Sequence, residues 1–113
     1  MDYIVNILLR IKEKPACYLG EKSIINLSIL LGGYIQAVED ITNERLNFNS
    51  IFQKFIETKF GRSAKHWSKI LLEKYSDSIG FDMFFEYFNE FLNLNKWFIE
   101  RGQADARPLS IDK

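Results

Sequence analysis

The sequence predicts an all-α, single-domain bundle of about five helices packed around a central apolar helix at about residues 23–39. Apolar residues recur at helical spacing in five consecutive segments, and no segment alternates with the period of two that a half-buried strand requires. The chain of 113 residues is 47% hydrophobic and 15% aromatic, with ten Phe, which supplies one core but is too short for two. The stretch 1–101 reads as the helical domain, and 102–113, polar and carrying Gly102 and Pro108, as a mobile C-terminal tail.

Asp2 can cap a first helix whose apolar positions are Ile4, Ile7, Leu8 and Ile11. Pro15 ends it, and Pro15 to Gly20 reads as a connector. Ser23 opens the second helix, with Ile24, Leu27, Leu31, Tyr34, Ile35 and Val38 on one stripe and Ile25, Ile29 and the pair Gly32-Gly33 opposite. A helix that is apolar nearly all round belongs in the middle of a bundle. The two glycines cost about 1 kcal/mol each in helix propensity, and in return let another backbone come close. They are not a phosphate loop, since no strand precedes them and no Lys-Ser/Thr follows.

Asp40 to Asn49 reads as a polar connector, and Ser50 as the start of a third helix on the stripe Ile51, Phe52, Phe55, Ile56 and Phe60. Gly61 stands where a left-handed C-terminal cap belongs. Ser63 restarts the helix on Ala64, Trp67, Leu71 and Tyr75, and Ser76 to Gly80 is a break rich in turn formers. The fifth helix places Phe81, Phe84, Phe85, Phe88, Phe91 and Leu92 on one face.

Fifteen Lys and Arg balance fifteen Asp and Glu, whereas a general nucleic-acid binder carries a basic excess, so no direct nucleic-acid partner is expected. The single cysteine excludes an intramolecular disulfide and a multi-cysteine zinc site. Met1 to Ile7 lacks a basic n-region and a cleavage site, and no apolar run approaches the roughly 18 residues of a bilayer span. The chain therefore reads as soluble and cytoplasmic, without a membrane partner.

Catalytic and metal-binding constellations are lacking. His66 falls on an outer helix side with Lys65, Lys69 and Glu73, which is a solvated place rather than the water-poor pocket a general base needs. Cys17 has no histidine near it in sequence and reads as a small buried hydrophobe. No His, Asp or Glu grouping has zinc or calcium-loop spacing. Neither an enzyme nor a cofactor is expected.

Charge is segregated along the chain. Residues 54–74 hold six bases (Lys54, Lys59, Arg62, Lys65, Lys69, Lys74) against Glu57 and Glu73, while residues 76–95 hold Asp77, Asp82, Glu86 and Glu90 and no base. Asp82, Glu86 and Glu90 stack at i, i+4, i+8, where like charges repel by a few tenths of a kcal/mol. Trp97 joins this face if the helix runs on. Such a face suits a cationic protein cleft, and Asp77, Asp82, Glu86, Glu90 and Trp97 are the candidate binding residues. Glu39, Asp40 and Glu44, at the end of the central helix and in the loop after it, are the second choice. The competing reading of both groups is ordinary solvation of an amphipathic helix and a loop.

The run from Lys14 to Leu27, with Lys14-Pro15, Tyr18-Leu19-Gly20 and Ser23-Ile24, followed by Leu30-Leu31-Gly32-Gly33-Tyr34, resembles small helical immunity proteins of bacterial polymorphic toxins, including contact-dependent growth inhibition systems. Phe52 to Phe60, Trp67-Ser68-Lys69-Ile70-Leu71 and the Phe-rich stretch from Phe81 to Leu92 are similar too. The resemblance spans about residues 4–94 and departs at Cys17 and after Asn95. It implies a helical cytoplasmic protein that binds and neutralises a cognate toxin domain, commonly a nuclease, and it carries over no site residue. The acidic row then fits an RNase, whose cleft must be positive to hold phosphates. A helical adaptor that binds another protein partner is the alternative.

Overall fold

A computed structural model describes residues 2–95 of the chain. The fold is all-α. Among the described residues there are six helices and no strand: α1 (Asp2–Glu13), α2 (Pro15–Leu19), α3 (Ile24–Thr42), α4 (Phe48–Phe60), α5 (Trp67–Tyr75) and α6 (Asp77–Leu94). Trp97 and the expected boundary between domain and tail at residues 101 and 102 lie outside the described residues.

The sixth helix is a correction with a simple cause. Pro15 does end α1, but it then occupies the first turn of a short helix of its own, where its missing N–H costs nothing. Gly20 closes that turn at φ 84°, its N–H donating to the Ala16 carbonyl. Cys17 lies on the outer side of α2 and is exposed, not the buried hydrophobe expected from its composition alone.

The other boundaries shift by a few residues. α3 continues through Asp40 and Ile41 to Thr42, and Asn43 caps it in the left-handed conformation with its N–H on the Glu39 carbonyl. α4 begins at Phe48 rather than at Ser50 and ends at Phe60, with Gly61 as its C-cap at φ 98°. α5 begins at Trp67, four residues after Ser63, because His66 is its N-cap. α6 begins at Asp77, so the turn from α5 is a single residue, Ser76, held at φ 82°. Gly80 is buried inside α6 against Ile24 and the Leu71 carbonyl, where a Cβ would stand 3.2 Å from the Ile24 side chain.

The core is built in two parts. Ile4, Leu8 and Ile11 from α1 and Ile24, Leu27, Leu31 and Ile35 from α3 form its aliphatic side. Phe48, Phe52, Trp67, Phe84, Phe88 and Phe91 form its aromatic side, all almost wholly buried. Phe52 lies at the middle of the rings: 5.2 Å between centroids from Phe48, 5.2 Å from Trp67, 5.3 Å from both Phe84 and Phe91, in stacked, tilted and edge-on arrangements. Such geometries add to the gain from area burial, because ring edges meet ring faces. The Trp67 indole N–H is satisfied by the Asn49 side chain at 3.0 Å.

α3 packs on α2, α5 and α6 but is not surrounded. Ile24, Leu27, Leu31, Ile35 and Val38 face the core, as the stripe predicts, while Ile25, Ile29 and Ile41 stand 42%, 69% and 83% exposed. The helix is central in having neighbours on several faces, but the side that carries Ile25 and Ile29 is left uncovered among the described residues. Nor does any part of the described chain approach the glycine pair, since a Cβ at Gly32 or Gly33 would meet nothing within 4 Å. By length and composition α3 is also long and apolar enough to cross a membrane, contrary to the expectation drawn from uninterrupted apolar runs. The run is broken by Ser28, Gln36 and Glu39, but the average over the helix stays apolar; the same composition serves a core helix.

Candidate functional site

α6 presents its Phe residues inward, so its polar positions must form an outward row. Asp82, Glu86 and Glu90 do so, and all three are exposed. Their repulsion is relieved in a way that reading one segment at a time could not find. Lys22, in the loop before α3, reaches Asp82 at 3.0 Å, and Lys59, at the end of α4, pairs with Glu90. Both pairs sit at the surface, where an ion pair contributes roughly 0–1 kcal/mol. Glu86, between them, has no ion pair or side-chain hydrogen bond among the described residues.

Asp77 is placed differently from the rest of the row. Its Oδ1 accepts from the Ser23 hydroxyl at 3.0 Å and from the Ile25 N–H at 3.0 Å. Ser23 in turn accepts from the Asn26 N–H, so the N-terminus of α3 has two of its free donors satisfied by one linked pair of side chains. Asp77 therefore joins the start of α6 to the start of α3. Asp77→Ala is expected to lower stability by about 1–3 kcal/mol, measured by urea unfolding, because Ser23 is only 1% exposed and its hydroxyl would lose its acceptor in a buried place.

A residue pair that the sequence reading passed over borders the acidic row. The Tyr75 and Tyr87 hydroxyls hydrogen-bond at 2.6 Å, and both rings pack edge-on against Phe60. Burial, with the Tyr75 hydrogen bond and the nearby Glu90 charge, pushes Tyr87 up to about 12. Lys59 lies 5.4 Å from the Phe55 ring centre and 5.9 Å from that of Tyr87, so it bridges the aromatic edge and the acid. The available signal was Tyr87 standing alone among Phe in α6: a phenol in a Phe-rich face needs a polar partner.

The second acidic group divides by role. Glu39 accepts the Leu46 N–H at 2.9 Å and so ties down the α3–α4 loop, and Asp40 accepts from Gln36 at 3.0 Å. With Asn43, Glu44 and Arg45 they line an open depression of about 360 Å³. A second depression, about 390 Å³, collects Arg62, Lys65 and Lys74 over a floor of Phe60 and Ile70. Lys65 is held there by Glu73 at 2.7 Å, and its hydrogen bond keeps that carboxyl below the usual range. Lys74 lies over the Phe60 ring.

His66 has a structural duty. Its Nδ1 accepts the Ser68 N–H at 3.2 Å as the N-cap of α5, and its ring packs on Trp67 at 4.9 Å between centroids. Desolvation against that indole holds its pKa below the usual 6.5. The unfolded chain thus takes the proton more readily, and the contribution to stability is complete above pH 6.5 and is lost as pH falls through the lowered folded value. The urea midpoint is expected to be higher at about pH 7.5 than at about pH 5.5. His66→Asp keeps a capping acceptor without an imidazole and should flatten that part of the profile. His66→Ala should cost about 1 kcal/mol.

No group of three His, Cys, Asp or Glu side chains is arranged to hold a metal ion among the described residues. No protein-family model, curated protein or solved structure matches the chain.

Proposed function

We propose that the protein is an immunity protein that binds a cognate bacterial toxin domain, a nuclease acting on RNA, in the cytoplasm and occludes its cationic cleft. The observation that carries the reading is the exposed row Asp82, Glu86 and Glu90 on α6, with Glu86 free of any partner among the described residues. The sequence resemblance over residues 14–34 and the Phe-rich second half supports it. A phosphate-binding cleft is lined with cations, and carboxylates laid along it take the substrate's place. The Tyr75–Tyr87 edge beside the row offers the amphipathic aromatic surface that anchors protein interfaces. The partner is a protein and the protein itself turns nothing over, so no direct nucleic-acid contact, metal or cofactor takes part.

On this reading a toxin gene lies immediately upstream, and the test is co-expression with its toxin domain, scoring rescue of growth and co-purification. Rescue with co-purification supports the reading; full toxicity alongside a folded protein overturns it. Cys17→Ser and His66→Ala should protect as well as the parent chain. Loss of protection by a folded His66→Ala protein would show that the imidazole has a chemical part in the inhibition.

A further inference from the structure

Three isoleucines of α3 stand in solvent, and the row they belong to has a symmetry of its own. Ile25, Ile29, Gly33, Ala37 and Ile41 follow one another at four-residue intervals, all exposed. They form one of the ridges along which helices interdigitate. No charged residue interrupts the row, although Asp40, held by Gln36, borders it. Gly33 is the midpoint of α3, and the row reads nearly the same in both directions from it.

We propose that this face binds a second copy of the chain, with α3 antiparallel to the partner's α3 across a two-fold axis at Gly33. An isologous dimer needs a self-complementary surface, and this one meets the condition position by position. The axis sets Ile25 against Ile41 and the bulky Ile29 against the small Ala37. Gly33 meets Gly33 at the crossing, where the lack of side chains lets the two backbones approach. Nothing in the described chain fills the space beside Gly32 and Gly33, so the cost of two helical glycines is met by no contact within one copy.

Charge selects the second copy and its direction. Just beyond the ends of α3 are Glu21 and Lys22 on one side and Glu44 and Arg45 on the other, all exposed. The same axis turns Lys22 toward Glu44 and Glu21 toward Arg45, and it opposes the two helix dipoles. A parallel pairing would lay each charge over its own kind. An uncharged row offers no complement to a cationic cleft. Lys22 already pairs with Asp82 of α6 at 3.0 Å, so the apolar row and the open glycine pair carry the inference and the end charges only set its direction; it stands whether or not the toxin reading holds.

The test is the mass of the full chain by sedimentation velocity from about 1 µM to about 1 mM, a range that brackets weak and tight dimers. A concentration-dependent dimer is expected, weakened at least about tenfold by Ile29→Lys, a change of about 1.4 kcal/mol or more. Gly33→Ala should raise the thermal midpoint of the monomer, since its Cβ enters open space and favours helix, yet weaken the dimer. A merely structural glycine would not give those opposite signs. In a Cys17→Ser background, Gly33→Cys should cross-link to itself on mild oxidation. Ile25→Cys should cross-link efficiently only when mixed with Ile41→Cys, because a disulfide requires Cα atoms within about 7 Å. A monomer throughout, a dimer indifferent to Ile29→Lys, or Ile25→Cys cross-linking with itself in preference would each overturn the proposal. Binding to phosphatidylcholine–phosphatidylglycerol vesicles by a chain that stays monomeric and loses that binding on Ile29→Lys would also overturn it, assigning the face to lipid.

Discussion

Phe52→Ala should destabilise the protein by about 3–5 kcal/mol, the largest loss expected from any single truncation in the aromatic half of the core. The ring is fully buried and touches Phe48, Phe55, Trp67, Phe84 and Phe91, drawn from α4, α5 and α6. Its removal leaves a cavity walled by other rings, which are stiff and cannot collapse into it as a set of Leu side chains could. Set against a typical total stability of about 5–15 kcal/mol, such a loss brings the protein close to unfolding at ordinary temperature. Phe52→Leu keeps most of the volume and should cost less, about 1.5 kcal/mol. Urea unfolding followed by Trp67 and Trp97 fluorescence, with the slope compared across the three proteins, reads both numbers. A loss under about 1 kcal/mol for Phe52→Ala would mean that the rings around it are not a cooperative core.

The helices were legible because the aromatic spacing is strict. Phe81, Phe84, Phe85, Phe88 and Phe91 can share a face only on an α-helix, and all five are buried as that spacing requires. Boundaries were less legible, because they are set by side-chain hydrogen bonds rather than by periodicity. His66 is a rare choice of N-cap, and Ser63, the commoner type, points to a start three residues too early. α2 is illegible in the sequence because Pro15 both ends one helix and can open the next, and five residues are too few to show a period. The exposure of Ile25, Ile29 and Ile41 was beyond sequence reasoning altogether, since periodicity says which residues share a face but not how many neighbours the other faces have.

The acidic row was legible as a row and misread in its energetics. Residues 76–95 hold four acids and no base, so within that segment the face can only repel itself. Lys22 and Lys59 come from 60 and 31 residues away, separations at which sequence carries no pairing signal. Asp77 belonged to the same count, yet its carboxylate is spent on the Ser23 hydroxyl and the Ile25 N–H. The two lysines leave the row short of one charge partner instead of three, and that one is Glu86.

Glu86 is consequently the sharper probe, and the second large effect is expected from reversing it together with Glu90. Within the free protein the double variant Glu86→Lys, Glu90→Lys loses only the exposed Lys59 pair and sets a lysine near Lys59. Its stability should fall by about 1 kcal/mol or less. Against a cationic cleft the same change replaces two attractions by two repulsions. Toxin binding should weaken by about 2–5 kcal/mol, with slower association at low salt. The parent complex should associate more slowly as ionic strength rises, because screening acts first on encounter, and the double variant should lose that slope or invert it. Glu86→Gln alone separates the two contributions: it removes a charge without disturbing Lys59, so a loss of about 1 kcal/mol or less places Glu86 at the rim, and a larger one places it where water is excluded. Surface plasmon resonance at several salt concentrations measures all of these. Unchanged affinity together with an unchanged salt slope in the double variant would move the interface off α6, and the depression bordered by Glu39, Asp40 and Glu44 would then be the face to reverse.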